Sequence, residues 1–107
     1  MTEFDPALFE DKYANYFTEL QQAYKNAFDR MNDAYDSTLV HAIDQQVLSE
    51  SEPFYEGDGD FRLELPAEPY DRLEGVVVER DHFEAVLEEY VGEIETELRR
   101  VFDLHTE

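Results

Sequence analysis

The chain lacks cysteine, has few basic side chains and contains no long apolar run. Its 107 residues include no cysteine, which excludes a disulfide scaffold and a thiolate zinc site and is typical of a cytoplasmic protein. No run approaches the roughly 20 apolar residues that a helix needs to cross a bilayer. Residues 1–14 carry acids throughout, whereas a secretory signal has a basic segment and an apolar core. We therefore expect a soluble, cytoplasmic protein without a membrane partner.

Acidic residues outnumber basic ones in both halves of the sequence. The chain has 28 acidic and 8 basic side chains, which gives a formal net charge of −20 at pH 7. Because no basic stripe is present to neutralise phosphates, we expect no direct nucleic-acid partner. The acids are mixed with aromatic and branched apolar residues, which indicates a folded acidic surface. Salt shortens the Debye length to roughly 3 Å at 1 M and relieves such self-repulsion, so we interpret the acidity as adaptation to high intracellular salt.

Two consecutive amphipathic helices are the strongest periodic feature of the sequence. Apolar residues recur at alternating spacings of three and four, which is the helical period. They are Phe17, Leu20, Tyr24, Ala27, Met31 and Ala34. Thr18, with Gln21 three residues later, forms a capping-box pattern that predicts the start of the first helix. Ser37 is the predicted cap of a second helix that runs to about Ser49.

Further helices are predicted on either side of this pair. Asp5 before Pro6 predicts a short first helix that runs to about Tyr16. Asp81, with Glu84 three residues later, predicts a capped last helix of roughly six turns at 3.6 residues per turn. The sequence therefore predicts about four helices.

The second half of the chain also contains strand signals. Residues 54–65 alternate apolar and polar side chains around two glycines, which predicts a β-hairpin with an acidic tip. The apolar run at residues 76–78 predicts a third strand. Residues 66–74 are too few and too rich in proline for a crossover helix, so the sheet is expected to be antiparallel. The expected fold is α+β, with about four helices and a small three-stranded antiparallel sheet, in a single domain over residues 1–107.

Three acids at the predicted hairpin tip are candidate metal ligands. Glu56, Asp58 and Asp60 surround two glycines, and carboxylate oxygens suit Ca²⁺ or Mg²⁺. An EF-hand loop does not fit, because counting from Glu56 places Phe61 where a glycine is required and Ala67 where a bidentate Glu is required. We favour a solvated hairpin tip and keep a metal site as the alternative.

The polar face of the second helix of the pair holds the candidate catalytic residues. His41 and Asp44 are three residues apart with Gln45 beside them, so helical geometry places them on one side. Together with the hairpin tip, they are candidates to bind a divalent metal and to orient a water. No nucleophile motif accompanies them. We therefore favour a solvated helix face, leave the catalytic residues unknown and expect no cofactor.

The block from Tyr16 to Pro66 resembles a known family. Residues 19–36 and the stretch LVHAIDQQVLSESEPFYEGDGDFRLELP at residues 39–66 are similar to a small uncharacterised protein family of halophilic archaea, and the similarity extends over essentially the whole chain. The resemblance implies a soluble cytoplasmic protein in a salt-loaded archaeal cell. It implies no activity, because that family has no assigned catalytic residues to carry over.

The pattern of the chain favours a non-catalytic interaction module. Two helices with wide apolar stripes in a small domain predict an exposed apolar surface, which forms an isologous interface between copies or contacts a protein partner. The alternative is a small divalent-metal-dependent hydrolase or ligand-binding protein that uses His41, Asp44 and the hairpin tip. A third hypothesis is an acidic DNA-mimic regulator that occupies a basic site on its partner.

Overall fold

The secondary structure follows the predicted order of helices, hairpin and last helix. The computed structural model describes residues 4–57 and 59–102. The α-helices are α1 (Pro6–Phe9), α2 (Lys12–Asn15), α3 (Phe17–Ala34), α4 (Ser37–Gln46) and α5 (Arg80–Val101), and the strands are β1 (Glu52–Gly57) and β2 (Asp60–Glu64). Two short 3-10 turns, Leu48–Glu50 and Pro69–Arg72, lie on either side of the hairpin. The α+β class is confirmed.

The described residues form five α-helices, one more than the four that the sequence predicts. The first predicted helix is divided into α1 and α2, because Asp11 has φ −117° and ψ 46° and cannot continue α-helical hydrogen bonding. The carboxylate of Asp5 accepts from the backbone N–H of Ala7 at 2.9 Å, as the capping signal predicts. Tyr16, with φ −131°, separates α2 from α3.

The prediction of a three-stranded sheet is wrong. In the described residues the sheet has two strands, and β1 pairs antiparallel with β2. Residues 76–78 form no ladder, and the side chain of Val77 is fully exposed. Their apolar character is suited to a strand, but a strand also needs a neighbour, and pairing is not a local property of the sequence.

The core lies between the long helices and the hairpin. Helix α3 packs along α5, and the small side chains of Ala23 and Ala27 on α3 are fully buried, as are Tyr90 and Ile94 on α5. Small residues allow two helix axes to approach closely, which leaves room for the large rings opposite. Strand β2 also packs on α5. The described elements therefore share one hydrophobic cluster.

Aromatic rings close the end of this core where α1, α2 and the hairpin meet. The ring of Phe61 on β2 lies 5.4 Å from that of Phe9 and 5.8 Å from that of Phe102. The ring of Tyr16 lies 4.9 Å from that of Phe102, and its hydroxyl accepts from the backbone N–H of Asp5 at 3.0 Å. These contacts fix the two short N-terminal helices, which are too short to be stable alone.

Candidate interaction surface

The structure brings the predicted pair His41 and Asp44 together on α4. His41 is exposed, and its ring meets the edge of Phe28 with centroids 4.9 Å apart. Its Nδ1 lies 2.9 Å from the carbonyl oxygen of Ser37. A carbonyl oxygen only accepts hydrogen bonds, so this contact places the proton on Nδ1.

Asp44 faces the core, where it lies beside Tyr90. Burial raises the pKa of Asp44 above its ordinary value, and His41 and the Tyr90 hydroxyl act in the opposite direction. Burial, followed by the charge of Asp44, raises the pKa of Tyr90 as well. The buried Tyr90 hydroxyl has no hydrogen-bond partner at ordinary geometry. The pair is thus one half-buried carboxylate beside a neutral phenol, which is not the arrangement of a nucleophile with its base.

Two of the three acids predicted at the hairpin tip are paired with arginines. The carboxylate of Glu56 accepts from Arg62 Nε at 3.2 Å, and Asp60 lies 3.7 Å from Arg99 Nη1. Asp58 falls outside the described residues. Within residues 4–57 and 59–102, no three His, Asp or Glu side chains are grouped so that they could hold a metal ion. The metal site at the tip stays a prediction, because one of its proposed ligands is not described.

Two buried charges were not anticipated from the sequence. Lys12 is almost fully buried, and its ammonium donates to Glu52 at 2.8 Å and lies 5.0 Å from the centre of the Phe54 ring. Glu97 is fully buried on α5. Its position three residues after Ile94, within the apolar stripe, is the one sequence signal that indicates burial.

One groove in the described part of the chain is lined by no charged side chain. It has a volume of about 230 Å³ and runs between the α2–α3 junction and the segment that leads into β1. None of its lining residues is charged. They are Tyr13, Phe17, Leu20, Gln21, Tyr24, Leu48, Ser49, Ser51 and Pro53.

Large side chains beside the groove are partly open to solvent. Tyr13 is 56% exposed and Phe17 is 51% exposed, although the helical pattern predicts Phe17 in the core stripe. They lie four residues apart across the Tyr16 break, and Leu20 and Tyr24 continue the same stripe along α3. The stripe is therefore wider than the core that covers it, and its N-terminal part remains uncovered.

A neutral hydrogen-bonded pair forms the polar part of the groove. The hydroxyls of Tyr24 and Ser51 are 3.0 Å apart. Burial raises the pKa of Tyr24 to about 12, and the hydrogen bond with Ser51 opposes this shift. The phenol therefore remains uncharged at physiological pH. The groove thus offers apolar contact and neutral hydroxyls, and it lacks the charged acid or base that general acid–base catalysis uses at neutral pH.

No helix in the described part of the chain is both long enough and apolar enough to cross a bilayer. No curated protein and no solved structure matches the chain. A family model does match: it covers residues 1–105 and is described as a family of unknown function, DUF5783. Because the match spans nearly the whole sequence, the chain belongs to the family DUF5783.

Proposed function

We propose that the protein is a non-catalytic interaction module whose uncharged groove binds an apolar segment of a partner protein. The observation that carries this proposal is the absence of charge from the groove lining in a chain of which 34% of residues are charged. Exposed apolar surface of this kind is typical of protein-binding sites.

The dimensions of the groove favour side chains of a protein over a free small molecule. Sites for drug-sized ligands have volumes of about 300–1,000 Å³, and the groove holds about 230 Å³. One or two apolar side chains of a partner would fill it. Burial of each such side chain contributes about 1.5–3 kcal/mol, and the half-exposed rings of Tyr13 and Phe17 would be covered at the same time.

The charge of the chain favours a partner whose apolar segment is flanked by basic residues. The net charge of −20 creates a negative potential around the groove, which attracts cationic segments and repels anionic ones. An amphipathic helix with a basic polar face satisfies both requirements, because its apolar face enters the groove and its lysines face the acidic surroundings.

Binding of designed peptides tests this proposal. Three labelled amphipathic helices share one apolar face of Leu and Phe and carry Lys, Gln or Glu on the polar face, and fluorescence anisotropy gives their affinities. We expect the Lys peptide to bind most tightly and the Glu peptide least. The variants Phe17→Ser and Tyr13→Ser should each weaken binding of the Lys peptide about tenfold, which corresponds to about 1.4 kcal/mol.

Leu8→Ser is the matched control, because Leu8 is 45% exposed but does not line the groove. This variant should bind the Lys peptide as the unaltered protein does. Equal affinity of Phe17→Ser, Leu8→Ser and the unaltered protein would overturn the proposal, since the peptide would then be held by charge alone.

The remaining hypotheses depend on separate observations. The neighbouring His41 and Asp44 support a divalent-metal or ligand site as a second candidate, and metal that binds there should raise the melting temperature by mass action. The Asp44→Asn variant should abolish that rise. The acidity supports a cytoplasm rich in salt as the place where this single domain works.

A further inference from the structure

The hydroxyl hydrogen of Ser51 in the groove is already committed to the backbone. Its Oγ donates to the carbonyl oxygen of Leu48 at 2.7 Å, and a carbonyl oxygen can only accept. The same Oγ lies 3.0 Å from the hydroxyl of Tyr24. Because Ser51 has no second hydroxyl hydrogen, the Tyr24 hydroxyl is the donor in that contact. Both hydrogen bonds therefore have a fixed direction, from Tyr24 to Ser51 and from Ser51 to Leu48.

The hydroxyl of Ser49, which also lines the groove, is arranged in the same way. Its Oγ donates to the carbonyl oxygen of Gln45 at 2.8 Å. The phenol of Tyr24 keeps its proton at physiological pH, because burial raises its pKa to about 12. The hydroxyls of Tyr24, Ser49 and Ser51 thus have their hydrogens engaged within the chain, and they offer only lone pairs to a ligand.

The half-buried hydroxyls of the groove therefore accept hydrogen bonds from a ligand and donate none. Tyr24 and Ser51 are half-buried, and no donor in the described part of the chain reaches the phenol oxygen of Tyr24. The other polar lining residues, Tyr13 and Gln21, are exposed, so water satisfies them. A partner side chain that covers Tyr24 displaces water from its oxygen, and an acceptor that loses water without a new donor is unfavourable. The side chain that suits this groove is thus apolar and brings a hydrogen-bond donor.

Tryptophan is the side chain that meets this requirement. Its indole is a large apolar ring with one N–H donor and no acceptor. A tyrosine would bring a phenol oxygen, and an asparagine or glutamine a carbonyl oxygen, for which the hydroxyls of the groove offer no hydrogen. Lysine and arginine would bring a charge into a groove that has no carboxylate among its lining residues. The exposed rings of Tyr13 and Phe17 supply the aromatic contact that an indole favours.

We propose that the partner's anchor in the uncharged groove is a tryptophan whose indole N–H donates to the phenol oxygen of Tyr24. The inference rests on the proposed function, because it names the side chain that enters the groove. The chain contains no tryptophan, so a second copy of it supplies no such anchor and the occupant is a different protein. Basic residues that flank the anchor face surroundings made negative by the net charge of −20. Tyr24 is then the residue that determines which anchor the groove prefers.

Peptides that differ in one ring atom of the anchor test the proposal. The central apolar residue of the Lys peptide is changed to tryptophan or to benzothienylalanine, in which sulfur replaces the indole N–H in a ring of the same shape. Fluorescence anisotropy of the labelled peptides gives both affinities. We expect the tryptophan peptide to bind about fivefold more tightly, as one neutral hydrogen bond predicts. Its indole is the only one in the mixture, because the chain contains none, and its emission should shift to the blue on binding.

Two matched variants test whether Tyr24 is the acceptor. Tyr24→Phe removes the phenol oxygen and should bring the ratio of the two affinities close to one. Tyr13→Phe is the control, because it makes the same change in the other tyrosine that lines the groove, and it should keep the ratio. Circular dichroism establishes that both variants are folded. The comparison of the two peptides on the unaltered protein depends on no variant.

The results separate this inference from the proposed function. Equal affinities of the two peptides for the unaltered protein, with weaker binding to Phe17→Ser, would overturn the tryptophan anchor and leave the groove as the binding site. Affinities that do not respond to Phe17→Ser would overturn both. A ratio that survives Tyr24→Phe, or one that is lost in Tyr13→Phe, would also overturn the anchor. A mass of two chains by light scattering that falls to one chain in Phe17→Ser would show that a second copy fills the groove, which contradicts the inference.

Discussion

Removal of the buried carboxylate of Glu97 should strongly destabilise the protein. Glu97 is fully buried, and its carboxylate contacts three side chains on α3 and α5. Its Oε1 accepts from Asn26 Nδ2 at 3.0 Å, and its Oε2 lies 2.6 Å from Arg100 Nη1 and 3.1 Å from Arg30 Nη2. The carboxylate therefore joins the two long helices at the centre of their contact.

The size of the effect follows from what Glu97→Ala leaves behind. Loss of one partner of a buried ion pair destabilises by about 3–5 kcal/mol. The side chains of Arg30 and Arg100 are half-exposed and can be rehydrated, so we expect the lower value, about 3 kcal/mol. For a domain of this size that corresponds to a decrease in the melting temperature of roughly 12 °C.

Glu93→Ala is the matched control one turn earlier on α5. Glu93 contacts the same Arg30 at 3.2 Å, but 32% of its side chain is exposed, so its loss should destabilise by less than about 1 kcal/mol. Glu97→Gln should be intermediate, because its amide oxygen still accepts from Asn26 while its amide N–H groups face the arginines. Urea denaturation at fixed KCl measures all three variants. If Glu97→Ala and Glu93→Ala lose the same free energy of unfolding, the ion cluster does not act as described.

Three further predictions concern charge and buried hydroxyls. Addition of KCl should raise the melting temperature, because screening weakens the repulsion of a net charge of −20, and a decrease would contradict the interpretation of the acidity. Burial raises the pKa of Asp44 in the folded state, so its contribution to stability is present below the unfolded pKa and is lost as the pH rises through the folded pKa. Asp44→Asn should therefore melt higher than the unaltered protein at neutral pH, with a difference that shrinks on acidification and is measured by thermal melts across pH. Tyr24→Phe should lower the free energy of unfolding by about 1 kcal/mol through loss of the bond to Ser51; urea denaturation that shows no loss would refute this reasoning.

Periodic and local signals predicted most of the fold. The spacing of apolar residues predicted α3, α4 and α5, because each helix places a continuous stripe on the core. Glycines with positive φ allow the turn between β1 and β2, where Gly57 has φ 93° and Gly59 has φ 80°. Each of these signals depends on residues that are close in sequence.

The errors arose where distant residues decide the outcome. A third strand at residues 76–78 requires a neighbour that the described part of the chain does not provide. Phe17 belongs to an apolar stripe and yet is half-exposed, because no other element covers that end of α3. The burial of Lys12 depends on Glu52, which is distant in sequence. The uncharged groove is of the same non-local kind, because its lining residues come from α2, α3 and the segment that leads into β1.

The most direct measurement of the central claim is a map of where the Lys peptide binds. Nuclear magnetic resonance spectra of isotope-labelled protein are recorded during titration with this peptide, with the Glu peptide as the control. The account predicts that the largest shifts occur at Tyr13, Phe17, Tyr24 and Ser51, which lie in the uncharged groove. Shifts spread over the acidic surface without a maximum in the groove would contradict the account.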